Sequence, residues 1–130
     1  MRSAGGVVLL ATLAAGCASV DTSKLPRMGV DYGFAAKHKC QGVSPEIRLT
    51  GVPTSVKKYD VRMVDLDVPS FNHWNETVPA TGSVIREGAG KAYVGPCPPS
   101  GTHRYQIAVT ARDDKNQPLA YGDKTVVAGR

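Results

Sequence analysis

Between Tyr93 and Tyr105 the chain reads Tyr-Val-Gly-Pro-Cys-Pro-Pro-Ser-Gly-Thr-His-Arg-Tyr. Pro96, Pro98 and Pro99 crowd this stretch, and each removes a backbone donor and fixes φ. Such a segment cannot lie inside a helix or a central strand, so it forms a stiff loop. Directly beyond it, His103, Tyr105, Ile107, Val109 and Ala111 recur at every second position, the period of one face of a strand. The loop therefore delivers His103 and Tyr105 to the end of a sheet. Rigid loops that aim polar side chains are where binding sites concentrate. The plainer alternative is a proline-rich connection that only turns a corner.

The rest of the chain favours short strands. Val30, Tyr32 and Phe34 alternate and suggest a first strand. His38, between Lys37 and Lys39, reads as a surface residue. Ile47 and Leu49 follow a turn at residues 42–45. Tyr59, Val61 and Met63 alternate most clearly and run into Asp65-Leu66-Asp67-Val68-Pro69. Residues 70–92 have little periodicity and read as irregular loop with one or two short strands. The polar turn at residues 113–118 joins the strand after His103 to a return through Tyr121 and Val126, as in a hairpin. Trp74, Tyr59 and Tyr121 are expected in packing. Arg104 points away from His103, either exposed or in a surface ion pair. With no helical stripe and many Gly/Pro turns, the expectation is an all-β sandwich or barrel.

The 130 residues suffice for one domain. The formal charge is +5; without residues 1–16, whose only charge is Arg2, 15 basic side chains face 11 acidic ones, or +4. Basic residues are interleaved with acids, which argues against a nucleic-acid partner and leaves a weak preference for anions. Residues 1–16 read as a signal peptide: Arg2, then an apolar run from Gly5 to Ala15 too short to span a bilayer. The junction Leu13-Ala14-Ala15-Gly16-Cys17 resembles a bacterial lipobox. On that reading Cys17 carries lipid, residues 17–27 are the lipidated N-terminus and tether, and residues 28–130 form the domain, anchored in the cell envelope. A plain secretory signal leaving a soluble periplasmic or secreted protein is the alternative. Cys40 and Cys97 then remain as an even pair in an oxidising compartment and read as a disulfide. That bond constrains the unfolded chain by roughly 3–4 kcal/mol in the entropy model. Two free thiols, or a chain kept reduced, are the other possibilities.

Five pieces occur in a telling order: Cys40-Gln41-Gly42-Val43-Ser44-Pro45, Asp65-Leu66-Asp67-Val68-Pro69, His73-Trp74, Gly95-Pro96-Cys97-Pro98-Pro99 and His103-Arg104-Tyr105. Together they resemble the phosphatidylethanolamine-binding protein family, also called Raf-kinase-inhibitor-like. The resemblance implies a β-sandwich with Greek-key-type short strands and little helix. It also implies a pocket that binds a small anion or phospholipid headgroup without turnover and without a cofactor. Asp65 and Asp67 fall on the family's paired aspartates, His73 on its first pocket histidine, and His103 and Tyr105 on its second histidine and tyrosine. Gly95, Pro96 and the prolines after Cys97 fall on the rim. The chain departs from the family pattern at Leu66, in place of a proline. It departs again at Asn72, in place of an aromatic for which Phe71 stands in, and in a shorter segment after Trp74. Its length is below the family's common length, so flanking helices are expected to be missing.

Elementary chemistry agrees with such a pocket. Phosphate needs directed donors, which His, Tyr and turn amides supply. The aspartates would orient the imidazoles and favour their cationic form. Three rivals remain. Two histidines with Asp65 and Asp67 could ligate a metal for hydrolysis, although no tight motif such as His-Glu-x-x-His is present. An Asp–His pair could serve acid–base catalysis, although no serine elbow or phosphate loop accompanies it. Finally, the chain could be a protein-interaction or inhibitor module with a vestigial pocket.

Overall fold

The computed structural model describes residues 20–130. Residues 1–16 and Cys17, assigned above to the signal and the lipid, lie outside the described residues. Seven strands make up nearly all of the regular structure: β1 Gly29–Asp31, β2 Ile47–Thr50, β3 Lys58–Asp65, β4 Asn72–Pro79, β5 Val84–Ile85, β6 Thr102–Arg112 and β7 Pro118–Gly129. They form two antiparallel sheets, β1-β2-β5 and β4-β3-β6-β7. The all-β expectation holds, and among the described residues the only helical pieces are two 3-10 turns, Thr22–Lys24 and Ala36–His38.

The period-2 pattern explains the core. In β3 the residues Tyr59, Val61, Met63 and Asp65 turn inward, and their register partners in β6 are Ala111, Val109, Ile107 and Tyr105. Ile47 and Leu49 of β2 and Ile85 of β5 belong to the same buried cluster. The alternate residues of β6, including Arg104, face the other way. The β6–β7 hairpin forms as expected, with its turn built on the Asp113 carboxylate, which accepts the Lys115 and Gln117 amides.

Three local readings change. The first strand ends at Asp31, and Tyr32 instead caps the core, donating its hydroxyl to the Tyr105 and Lys124 carbonyls at 3.0 and 2.7 Å. His38 is buried, not exposed. Its neighbours mislead because a 3-10 turn rotates by about a third of a circle per residue, which turns His38 inward while Lys37 stays in solvent. Its Nδ1 accepts the Ala35 amide at 2.9 Å, so Nε2 carries the proton facing Glu87 at 2.8 Å.

The third change is β4, a full eight-residue strand inside the stretch read as irregular. Its alternation is broken by a bulge. Met63 pairs with Trp74 and Val64 with Asn72, so His73 between them has no partner in β3. Both His73 and Trp74 are therefore buried in succession. Bulges re-aim side chains in this way, at the cost of the simple period.

Between Asp21 and Met28 the chain lies against β7. Arg27 bridges Tyr121, stacks over its ring at 5.0 Å and pairs with Asp123, and Met28 is buried in the core. Truncating Ile47, which is fully buried, removes packing on both sheets. Ile47→Ala is expected to lower stability by about 2–5 kcal/mol, whereas Val127→Thr, at a site 61% exposed, should change it by no more than about 0.5 kcal/mol. Urea titration followed by tryptophan fluorescence measures both.

Candidate functional site

Asp65 ends β3 with its carboxylate buried. Oδ1 accepts the amides of Asp67 at 2.8 Å and Val68 at 3.1 Å, an Asx-type turn that reverses the chain. Oδ2 meets Nδ1 of His103 at 2.6 Å. Burial opposes ionisation of Asp65, but the hydrogen bonds from His103 and the two amides outweigh it and hold the carboxyl below its ordinary range. Leu66 ties the turn to β6: its amide donates to the Arg104 carbonyl at 2.8 Å, a bond a proline there could not make.

Asp67 goes elsewhere. Its Oδ2 accepts the Arg104 amide at 2.7 Å and its Oδ1 pairs with Arg104 Nη2 at 3.0 Å. Those Arg104 hydrogen bonds hold its carboxyl below the usual range. The turn after β3 causes the separation. Residues two apart in a strand would share a face, but β3 ends at Asp65 and the reversal carries Asp67 to the outside. Asp65 and His103 pair on the inner side of the sheet end, and Asp67 and Arg104 pair outside.

His73 enters through the bulge in β4. Its Nδ1 donates to the Val94 carbonyl at 2.8 Å, and the Val94 amide donates back to the His73 carbonyl at 2.8 Å. Tyr105 lies between the two imidazoles, 5.3 Å from the His73 ring centroid at 87° and 6.3 Å from that of His103 at 28°. Its ring is buried, and burial, followed by the charges of Asp65 and Asp67, pushes the phenol up to about 12. The hydroxyl is thus neutral and can donate or accept.

The stiff segment forms a collar over these groups. Cys97 is bonded to Cys40, as the even pair suggested. The Cys40 amide donates to the Pro96 carbonyl at 3.0 Å, the Gly95 amide to the Cys40 carbonyl at 2.9 Å, and the Tyr93 hydroxyl to the His38 carbonyl at 2.6 Å. Gly95 packs so closely that a Cβ would collide with the His38 carbonyl. That close backbone approach is why the position takes glycine.

Beneath the collar is a cavity of about 330 Å³. Asp65, His73, His103 and Tyr105 supply its polar groups, and Val68, Phe71, Val94, Gly95, Cys97, Pro98 and Pro99 complete its wall. Of the residues expected there, Asp65, His73, Gly95, His103 and Tyr105 are brought together. Two are not: Asp67 is held outside by Arg104, and Pro96 is buried behind the wall. Val68 and Val94 were missed because nothing in their local pattern sets them apart from core valines. Phe71, expected to stand in for the family's aromatic, does line the cavity, with its ring centroid 4.6 Å from that of His73. Among the described residues no group of three or more His, Cys, Asp or Glu side chains is disposed to hold a metal ion. Both oxygens of Asp65 are already engaged by donors.

Comparison with known proteins bears on this arrangement. The profile of the family described as "Phosphatidylethanolamine-binding protein" matches residues 18–128. The chain belongs to that family. A "UPF0098 protein" of Archaeoglobus fulgidus is 32% identical over 135 residues, covering 82% of this chain and 47% of the relative. Another "UPF0098 protein", from Methanothermobacter thermautotrophicus, is 31% identical over 101 residues, covering 60% of this chain and 67% of the relative. The chain spans about half the length of the Archaeoglobus relative it matches. No solved structure matches it. The phosphatidylethanolamine-binding protein fold accounts for the two antiparallel sheets, and membership supports a binding or modulator type of protein.

Asp65 generates a pH test. Its folded carboxyl is lowered, so the stability it contributes is complete above the unfolded value of about 3.9. It is lost as pH falls through the folded value. Asp65→Asn is therefore expected to cost about 1–3 kcal/mol at pH 7, with the difference from the unsubstituted chain closing below about pH 4. Urea midpoints from pH 7 down to pH 3 measure the convergence.

Proposed function

We propose that this protein is a non-enzymatic binder of a small oxyanion of the phosphate or phospholipid-headgroup class, held between His73 and His103. The single observation carrying this reading is the hydrogen bonding of the two imidazoles. A carbonyl and an ionised carboxylate only accept, so both Nδ1 atoms are donors. Nε2 is then the polar atom each ring can offer a guest. On a neutral ring Nε2 accepts and faces an anion unfavourably; on a protonated ring it donates. The neutral Tyr105 hydroxyl adds a third donor, and the apolar wall suits the less polar part of a headgroup. Turnover is not part of this reading, because neither imidazole is paired with a serine or a free thiol and Cys97 is held in the disulfide.

Affinity is expected to rise as pH falls from 8 to 5. Glycerophosphoethanolamine is a suitable probe, since a phosphodiester keeps its single charge across this range. Calorimetric titration should give binding about tenfold tighter at pH 5.5 than at pH 8, and His73→Ala or His103→Ala should each weaken it at least tenfold. Flat affinity across the range would exclude the role assigned to the imidazoles. One observation favours an interaction role instead: Phe71 and Val68, at the cavity mouth, are 49% and 41% exposed. A partner held by that rim alone would be retained by His103→Ala.

The cell-envelope setting belongs to the same proposal. Arg2, the apolar run to Ala15 and the Gly16-Cys17 junction support lipid attachment at Cys17 after removal of residues 1–16. The Cys40–Cys97 bond suits an oxidising compartment. Cells labelled with radioactive palmitate should incorporate label into this protein and lose it in Cys17→Ser. Equal labelling of both forms would remove the anchor from the account.

A further inference from the structure

The Val94–Gly95 peptide does two things at once. Its carbonyl accepts Nδ1 of His73 at 2.8 Å, and its N–H donates to the Cys40 carbonyl at 2.9 Å. A peptide unit is planar and stiff, so the position of Cys40 is transmitted to the His73 ring through one rigid plate. Cys40 is in turn held by its amide on the Pro96 carbonyl and by the bond to Cys97, which lines the cavity. It also sits at φ 52°, a left-handed conformation that a non-glycine residue keeps only when its surroundings enforce it.

We propose that the Cys40–Cys97 disulfide is a positioning cross-link for the anion cavity, fixing the tautomer and aim of His73 through the Val94–Gly95 peptide, so that ligand affinity depends on the redox state of this pair. The proposal rests on the anion-binding reading for its effect on affinity, but not for its effect on His73. With the bond cut, Cys40 can leave its left-handed conformation, the plate can turn, and the Nδ1–H of His73 loses its acceptor. The ring then samples both neutral tautomers, and its Nε2 is no longer the atom reserved for a guest. Neither the peptide nor the cysteines need touch the ligand for this to occur.

Dithiothreitol makes the test. Two electrons and two protons pass from the reagent to the Sγ–Sγ bond, giving two protein thiols and the cyclic oxidised reagent. Nitrogen-15 NMR of the histidine rings then reads the His73 tautomer in the oxidised and reduced protein, and calorimetry reads glycerophosphoethanolamine affinity. Far-UV circular dichroism checks that the sheets persist. The expected result is a folded reduced protein in which the His73 Nδ1–H signature gives way to a tautomer mixture and affinity falls about tenfold, with Cys97→Ser behaving alike. A reduced, folded protein that loses thermal stability but keeps that signature and its affinity would assign the disulfide to stability alone and overturn the proposal. Should reduction unfold the chain, Tyr93→Phe keeps the disulfide but frees the collar from the His38 carbonyl. Its His73 signal must then stay unchanged, because the cross-link still holds Cys40 and the plate, and a tautomer mixture in this variant overturns the proposal. If the oxidised protein binds no phosphodiester, the anion reading fails, while the tautomer measurement still decides the positioning role.

Discussion

A carboxylate taken out of water without partners costs several kcal/mol, and Asp65 remains charged in the interior only because three donors converge on it. Each donor carries a condition. The two amides are available only if the chain reverses at once after β3. The imidazole is available only if β6 pairs with β3 in the register that sets Asp65 opposite Tyr105. A one-residue slip would turn His103 to the outer face and leave the charge unpaired. The turn, the strand register and the orientation of one imidazole are thus fixed by a single buried group.

The second imidazole is fixed differently. His73 reaches the cavity because a bulge leaves it without a partner in β3, and its ring is held by backbone, not by charge. The two rings therefore share a hydrogen-bonding pattern, Nδ1 as donor, but have different electrostatic surroundings. His103 stands against an ionised carboxylate, and His73 against a neutral carbonyl and the edge of Tyr105.

Much of this was legible from residue order. Alternation in Tyr59–Met63 and Tyr105–Ala111 gave the central strands, and three prolines gave the collar. Asp65, His73, His103 and Tyr105 were recognisable as a set. Three things escaped, each because a local pattern met a non-local constraint. His38 reads as exposed from its lysine neighbours, but a 3-10 turn directs it to Glu87, 49 residues away. The strand β4 reads as irregular because its bulge hides the period. Asp67 reads as the twin of Asp65, yet β3 ends at Asp65 and the turn that follows gives Asp67 to Arg104.

The amino-acid order by itself determined the class of fold and the chemical inventory. Period-2 burial, proline stiffness and glycine turns act over a few residues and leave few other ways to bury the apolar side chains. What only the tertiary structure decided is which members of that inventory meet, and with which atoms they face one another. Hydrogen bonds such as His73 to Val94 and Asp65 to His103 join residues 21 and 38 positions apart. They depend on where a bulge falls and which side of a strand a residue takes, and those follow from pairing between strands that no local pattern contains.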